Sequence, residues 1–308
     1  MINTVYRLVA PRRFEVAFED INLFGENAIV RPTYLSICNA DMRYYLGTRD
    51  AKVLAEKLPM ALIHEGVGEV FLDPTGTFKT GDKVVMVPNA PVEKDEFIAE
   101  NYLRSSKFCG SSMDGFLQEF VEISPKRLVK LPDDIDMTVA AFTEIVSVSV
   151  HAISRFDKIA HARRNTISVW GDGNLGYITS LFLKYHFPKS KIVVFGTSSD
   201  KLADFTFADE THLVNEVPDG FTTDHAFECV GGNGSPIAIE QIIGLIKPEG
   251  TISILGVSEY PVPINTRMIL EKGLRVFGSS RSGVKDFAKT VDMYKKHPCL
   301  LYTSDAAD

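Results

Sequence analysis

The chain has 308 residues, 45% of them hydrophobic, which is long enough for two domains with separate cores. With 33 Lys and Arg against 40 Asp and Glu the net charge is −7. That argues against nucleic-acid or anionic-membrane partners while allowing a local basic pocket for a phosphorylated small molecule. No apolar run reaches the roughly 20 residues of a membrane span. Residues 1–7 lack a charged segment followed by an apolar one, and Cys38, Cys109, Cys229 and Cys299 are scattered without paired spacing. Both features suit an unsecreted protein with reduced thiols in a cytoplasm.

Up to Lys130 the signals are short and strand-like, at residues 5–9, 14–18, 28–32, 67–72, 83–88 and 116–123. Asp73-Pro74-Thr75-Gly76 and Thr80-Gly81-Asp82 supply turns. This half reads as a β-rich, partly barrel-like domain. Pro132 opens a helical region with Asp134 or Asp136 as N-cap, and the apolar positions of residues 140–153 predict a helix crossing into a second domain. From Thr166 strands and helices alternate. Strands fit residues 166–170, 191–195, 211–214, 225–229, 251–255 and 274–277; helices fit 176–185, 236–246, 266–272 and 285–296. Such alternation means an α/β fold with a parallel sheet covered on both faces. Residues 300–308 carry neither pattern.

The strand at 166–170 runs into Gly171-Asp172-Gly173-Asn174-Leu175-Gly176 and then a helix-forming run. Three glycines alone are a weak signal; between a strand and a helix they let a pyrophosphate sit on free N–H groups at the helix N-terminus. The bland alternative is a glycine-rich turn with no ligand. An acidic residue ending the second strand would bind an adenosine ribose and repel a 2′-phosphate. Here that strand runs into Gly196, Thr197 and Ser198, with Lys201 close behind. Hydroxyls, backbone N–H groups and an ammonium favour NADP(H) over NAD(H). Asp200 complicates this, as a helix N-cap or a displaced ribose ligand.

Cys38 follows one strand-like run, His64 and Glu65 precede another, and Glu144 lies in an apolar helix. Thiolate, imidazole and carboxylate form a set that Zn2+ accepts with a coordination place to spare. A lone His or Cys is usually structural, whereas a charge in an apolar helix needs compensation. Spacing alone leaves the metal site open. Arg43, Arg49, Lys57 and Arg281 are candidate phosphate partners, with Arg43 and Arg281 first, against the ordinary reading of surface charge.

These residues resemble the medium-chain dehydrogenase/reductase superfamily, zinc-dependent polyol type, which joins a GroES-like catalytic domain to a Rossmann domain. His64-Glu65-Gly66-Val67-Gly68 is similar to its His-Glu-x-x-Gly segment, Cys38 to its first zinc ligand and Glu144 to the carboxylate ligand of polyol dehydrogenases. Within the superfamily the ribulose-5-phosphate reductases are the nearest resemblance. It is carried by Tyr6-Arg7-Leu8-Val9-Ala10-Pro11-Arg12, the run from Trp170 to Thr179, Asp224-His225-Ala226-Phe227-Glu228-Cys229-Val230-Gly231-Gly232 and Gly278-Ser279-Ser280-Arg281-Ser282-Gly283.

The resemblance implies a GroES-like catalytic domain over residues 1–145, a Rossmann domain over 146–298 and an atypical tail at 299–308. It implies zinc-assisted, NADPH-dependent reduction of D-ribulose 5-phosphate to D-ribitol 5-phosphate, supplying CDP-ribitol for teichoic acid or capsule synthesis. Cys38, His64 and Glu144 would hold the zinc, with Glu65 adjacent as an exchangeable or outer carboxylate, the four forming the metal and catalytic set. Gly171, Gly173, Asn174, Leu175, Gly176, Thr197, Ser198 and Lys201 would bind the cofactor. A sugar phosphate is the expected substrate, and a homodimer associated with a ribitol-5-phosphate cytidylyltransferase the expected assembly.

Three departures qualify the resemblance. Residues 88–113 hold only Cys109, so one catalytic zinc and no structural zinc is expected. Ala40 stands where alcohol dehydrogenases carry a proton-relaying hydroxyl, which leaves a water held by Glu65 as the relay. Relatives continue further, so the C-terminal part of the catalytic domain is expected to be missing. The rivals are a zinc-free quinone or enoyl reductase of the same superfamily and a non-catalytic NADP(H)-binding protein; metal analysis and turnover separate them.

Overall fold

The computed structural model describes residues 1–296, whose contacts divide into two compact units, 1–147 with 281–296 and 148–280. The first unit holds β1 (Ile2–Ala10), β2 (Arg13–Asp20), β3 (Ala28–Ser36), α1 (Asn39–Leu46), α2 (Ala51–Lys57), β4 (Met60–Ala61) and β5 (Glu65–Leu72). It continues with β6 (Lys83–Met86), β7 (Asn89–Ala90), β8 (Lys107–Phe108), β9 (Val121–Ile123), β10 (Leu128–Lys130) and α3 (Met137–Ala140), the last capped by Asp136, whose side chain accepts from Thr138 N. The boundary falls within α4 (Thr143–Ile159).

Three sheets result, with strand orders β2-β1-β4, β10-β6-β5-β3-β9 and β7-β8. Their apolar sides meet around Leu8, Val30, Leu62, Val84, Met86 and Phe116. The pairing that positions the site is β3 with β5, antiparallel, with Pro32 opposite Gly68 and Ser36 opposite Glu65. A Cβ on Gly68 would stand 2.4 Å from the Arg31 carbonyl oxygen, so a side chain there would push the strands apart. Their close approach sets the end of β3 beside the start of β5.

The second unit contains β11 (Thr166–Trp170), α5 (Asn174–His186), β12 (Lys191–Gly196), α6 (Ser199–Ala203), β13 (Glu210–Leu213), β14 (Thr223–Glu228), α7 (Ser235–Leu245), β15 (Ile246–Ile254), α8 (Thr266–Glu271) and β16 (Arg275–Gly278). The strands form one parallel sheet in the order β13-β12-β11-β14-β15-β16. Counted from β11 this is the 3-2-1-4-5-6 order of a doubly wound fold, reversing between β11 and β14. Among the described residues no helix is long and apolar enough to cross a membrane.

Several expectations shift. Of residues 116–123 only Val121–Ile123 is strand; Phe116 N and Leu117 N donate instead to the carbonyls of Ile63 and Leu62. Helices α1, α2 and α6 were not expected. They are short and held by their caps rather than by a long apolar stripe. The last helix, α9 (Val284–Lys296), belongs with the first unit and not with the Rossmann domain to which the 146–298 boundary assigned it. Its buried Phe287, Thr290, Val291 and Tyr294 form one face, it lies against β10, and Val284 N donates to Glu100 at 2.8 Å. The 299–308 tail and Cys299 lie outside the described residues.

Candidate metal centre and dinucleotide turn

Cys38 is the N-cap of α1, and its Sγ accepts from Ala40 N at 3.2 Å. Three residues on, Asp41 completes a capping box by accepting from Cys38 N at 3.1 Å. The other Asp41 oxygen takes Ile63 N at 3.0 Å, which ties α1 to the residue before His64. Ile63 has φ 72, a left-handed conformation costly for a β-branched residue. The strain is held by Phe116 N on its carbonyl at 2.7 Å and by Gly115, where a Cβ would lie 2.2 Å from that same oxygen. The kink turns the next side chain inward.

His64 Nε2 accordingly lies 3.4 Å from Cys38 Sγ, and Glu65 joins them; one ligand atom from each of the three lies within 4.8 Å of the others. His64 Nδ1 makes no hydrogen bond of normal length and faces Asp41 Oδ1 at 3.7 Å. Glu144, 7% exposed on α4, stands beside this set rather than within it, close enough to act electrostatically on His64 and Glu65.

Burial pushes the Cys38 thiol up against the pull of His64. Both glutamates are raised, Glu65 by burial and then by Glu144, Glu144 by burial and then by Asp41. Burial works against the charged imidazole of His64, but Asp41 and Cys38 outweigh it and carry the ring well above its ordinary value. Burial also opposes the Asp41 carboxylate, and His64 with the Cys38 and Ile63 amides outweighs it, so Asp41 is lowered. A thiol and three acids around one imidazole favour positive charge among them. Sulfur, imidazole nitrogen and carboxylate oxygen are zinc donors, spaced roughly 3.5 Å apart in a tetrahedral set. The 3.4 Å between Sγ and Nε2 fits, so these residues suit a zinc ion. Cys109, the one cysteine in residues 88–113, is buried, its thiol pushed up to about 12 by burial.

Among the candidate phosphate partners, Arg281 is tied to this centre. Its guanidinium carbon sits 4.5 Å above the Phe108 ring, which in turn lies 5.3 Å from the His64 ring. Burial lowers its affinity for the proton, and Glu144 opposes that. Its backbone, at φ 57, is left-handed. Arg43 is half-buried in the last turn of α1, Arg49 lies 4.7 Å over the Tyr44 ring, and Lys57 is 3.8 Å from Glu56.

In the second unit, β11 ends in the glycine turn. Gly171 has φ 130, Gly173 caps α5 with nothing within 4 Å of a built Cβ, and a Cβ on Gly176 would stand 2.0 Å from Gly171 O. A tight turn, an open approach and a close helix–strand contact thus fall on the three glycines, and Asn174 and Leu175 begin the helix. The second-strand end differs from expectation. Asp172 Oδ2 accepts from Thr197 N at 2.6 Å, Thr197 Oγ1 at 3.2 Å and Ser198 N at 2.8 Å, so those amides are already occupied. Burial works against the Asp172 carboxylate, but these donors outweigh it and lower it. The cap of α6 is Ser198, whose Oγ accepts from Lys201 N at 3.4 Å, and not Asp200. Of the residues expected at this strand end, Lys201 is exposed and Ser198 half-buried, while the Thr197 hydroxyl as well as its amide is turned to Asp172.

Asp41 and Asp172 went unnoticed beside the candidate site residues in the sequence. Asp41 had a readable signal, the capping spacing three residues after Cys38. Asp172 lay inside the glycine motif, and nothing local distinguished it from any other variable position.

The chain matches the alcohol dehydrogenase GroES-like domain family over residues 25–133 and the zinc-binding dehydrogenase family over residues 188–296. It is 57% identical to ribulose-5-phosphate reductase 1 of Staphylococcus aureus across 98% of this chain and 88% of that protein. It is 56% identical to ribulose-5-phosphate reductase of Bacillus spizizenii across 97% of this chain and 87% of that one. Among solved structures it is similar to S. aureus TarJ in complex with NADPH, with a TM-score of 0.89 at 51% identity, covering 99% of this chain and 89% of the other.

Proposed function

The chain belongs to the zinc-binding dehydrogenase family, alongside the ribulose-5-phosphate reductases, and from that membership we propose that it reduces D-ribulose 5-phosphate to D-ribitol 5-phosphate with NADPH. The observation that carries the reading is the convergence of Cys38, His64 and Glu65, in a chain whose relatives bear that name.

A zinc ion at this set supplies a Lewis acid for a ketone oxygen, and NADPH supplies the hydride. Cys38, His64 and Glu65 would hold the metal, with Glu144, the carboxylate ligand that the resemblance implied, beside them as an exchangeable carboxylate. Asp41 orients the imidazole through Nδ1. Ala40 has no hydroxyl to relay a proton, so the Glu65 carboxylate, which takes a hydrogen bond from Ser36, orients the proton donor. Arg281 meets the substrate phosphate. Residues 171–176 take the cofactor pyrophosphate, and Lys201 with the Ser198 hydroxyl its 2′-phosphate; Thr197, whose amide and hydroxyl both donate to Asp172, drops out of that expected set.

The product suits a supply of CDP-ribitol for teichoic acid or capsule in the cytoplasm, with a ribitol-5-phosphate cytidylyltransferase as associated enzyme. A homodimer is part of this reading: β16 is an open sheet edge, with Val257, Tyr260 and Leu270 exposed in the segment before it. The test is NADPH oxidation with ribulose 5-phosphate, with unphosphorylated ribulose and in a Cys38→Ser variant. Loss of turnover in the variant and a strong preference for the phosphorylated sugar are expected. Oxidation unchanged in the variant removes zinc from the reaction, and equal use of both sugars removes the phosphate pocket.

A further inference from the structure

Glu228, the last residue of β14, is 0% exposed, and its carboxylate is fully engaged with backbone. Oε1 accepts from Val230 N at 3.1 Å and Gly231 N at 2.8 Å, and Oε2 accepts from Gly256 N at 3.2 Å. One side chain therefore ties the turn after β14 to the turn after β15. The two turns are also packed backbone to backbone. A Cβ on Gly256 would lie 2.7 Å from both carboxylate oxygens, one on Gly231 would lie 2.8 Å from Val257 N and O, and Gly232 N donates to Val257 O at 3.0 Å. The knot reaches the dinucleotide turn too, since a Cβ on Gly171 would stand 2.9 Å from the Cys229 carbonyl carbon.

A charge buried this completely is tolerable because three N–H donors face it, and such bonds are about twice as strong as neutral ones. Its place in the fold gives it a use. The strand order reverses between β11 and β14, and a dinucleotide lies across the carboxyl ends of the strands at that point. The adenosine half belongs toward β12, where Lys201 stands, so the other half lies over the turns after β14 and β15. We propose that Glu228 is a positioning residue for the nicotinamide half of the cofactor, holding both turns in their binding geometry before NADPH arrives. The proposal rests on the NADPH reading above.

The experiment measures the affinities of NADPH and of 2′-phospho-ADP-ribose, which lacks the nicotinamide, in wild-type protein, Glu228→Gln and Glu228→Asp. The amide of Gln would point a donor at backbone donors. Glu228→Gln is expected to weaken NADPH ~10- to 100-fold while leaving the fragment unchanged, with KM for the sugar phosphate held and affinity largely restored in Glu228→Asp. Should Glu228→Gln not fold, Gly256→Ala, whose Cβ would stand 2.3 Å from Gly231 N and 2.7 Å from both Glu228 oxygens, disturbs the same junction and is expected to show the same selective loss. Unchanged NADPH affinity in a folded variant, or equal loss of NADPH and fragment, overturns the proposal alone. Wild-type protein that binds neither ligand overturns the cofactor reading itself and the proposal with it.

Discussion

Asp41 Oδ1 faces His64 Nδ1 at 3.7 Å, while the opposite nitrogen of the same ring faces Cys38 Sγ at 3.4 Å. The imidazole is thus held between a carboxylate and a thiol, and the carboxylate is in turn fixed by the Cys38 and Ile63 amides. Asp41→Asn removes the charge behind the ring and keeps its shape. Zinc affinity is expected to fall ~10- to 100-fold, read by competition with a chelating indicator. Affinity within a factor of two of wild type would show that Asp41 serves the α1 cap alone.

Metal removal separates the two chemistries. The zinc donors and the glycine turn lie in different compact units, so stripping the metal is expected to abolish ketone reduction and leave NADPH binding in place. Chelator-treated protein is assayed for both, then reloaded with Zn2+. Turnover that survives complete removal would favour the zinc-free reductase chemistry.

Much of this was legible in the chain because some physical requirements are local. Strand, glycine turn and helix follow one another over residues 166–186, so periodicity and glycine spacing locate the turn without any tertiary knowledge. The metal set was half legible. Cys38, His64 and Glu65 lie at the ends of β3 and β5, but what joins those ends is Gly68 meeting the Arg31 carbonyl, a cross-strand contact with no sequence period of its own. Glu144 stood out as a charge in an apolar helix, which marked it as buried without saying how far it stood from the other donors. The occupied Thr197 and Ser198 amides were invisible for a similar reason: Asp172 meets them from 25 residues away. The assignment of α9 to the first unit depends on Glu100 receiving Val284 N across 184 residues, which no local pattern encodes.

Glu100 makes its own prediction. Its oxygens accept from Arg127 Nη1 at 2.7 Å and Nη2 at 3.0 Å, and Oε1 also takes Val284 N. Burial works against its carboxylate, but Arg127 and Val284 outweigh it and hold it below the usual range. Glu100→Ala leaves the guanidinium and the first turn of α9 without their acceptor and is expected to cost about 2–4 kcal/mol in denaturant unfolding. A shift below 0.5 kcal/mol, on the order of a plain surface change, would mark the pair as dispensable.

His225 predicts an acid-sensitive step in the second unit. Its Nδ1 accepts from Thr251 N at 3.1 Å and its Nε2 lies 3.0 Å from the Arg163 carbonyl, so the neutral ring satisfies both, with its proton on Nε2. Burial, then the His161 ring at 4.3 Å between centroids, lowers its value from near 6.5 to about 4. Because the folded value is below the unfolded one, the unfolded chain binds the extra proton between these limits. Stability is therefore complete above pH 6.5 and falls as pH drops toward 4, by up to about 1.4 kcal/mol per pH unit from this group. Denaturation midpoints at pH 7, 6, 5 and 4 check it, with His225→Gln expected to flatten that part of the curve. Parallel curves for the two proteins would assign the acid sensitivity elsewhere.

Gly173 and Gly176 make opposite demands, and substituting each by Ala separates binding from folding. A methyl on Gly176 would be driven to 2.0 Å from Gly171 O, so helix α5 must move off β11, at a cost of about 1–3 kcal/mol or more. A methyl on Gly173 meets nothing within 4 Å, at φ −93 that any residue adopts, so stability is expected to stay within about 1 kcal/mol. On the proposed reading, that open space is where the cofactor pyrophosphate approaches backbone. Gly173→Ala is therefore expected to lose NADPH affinity about tenfold or more with an unchanged unfolding midpoint. Gly176→Ala is expected to lose both together. Titration of NADPH fluorescence and thermal unfolding on the two variants decide it, because a Gly173→Ala protein that binds NADPH normally would leave the turn a structural device with no phosphate resting on it.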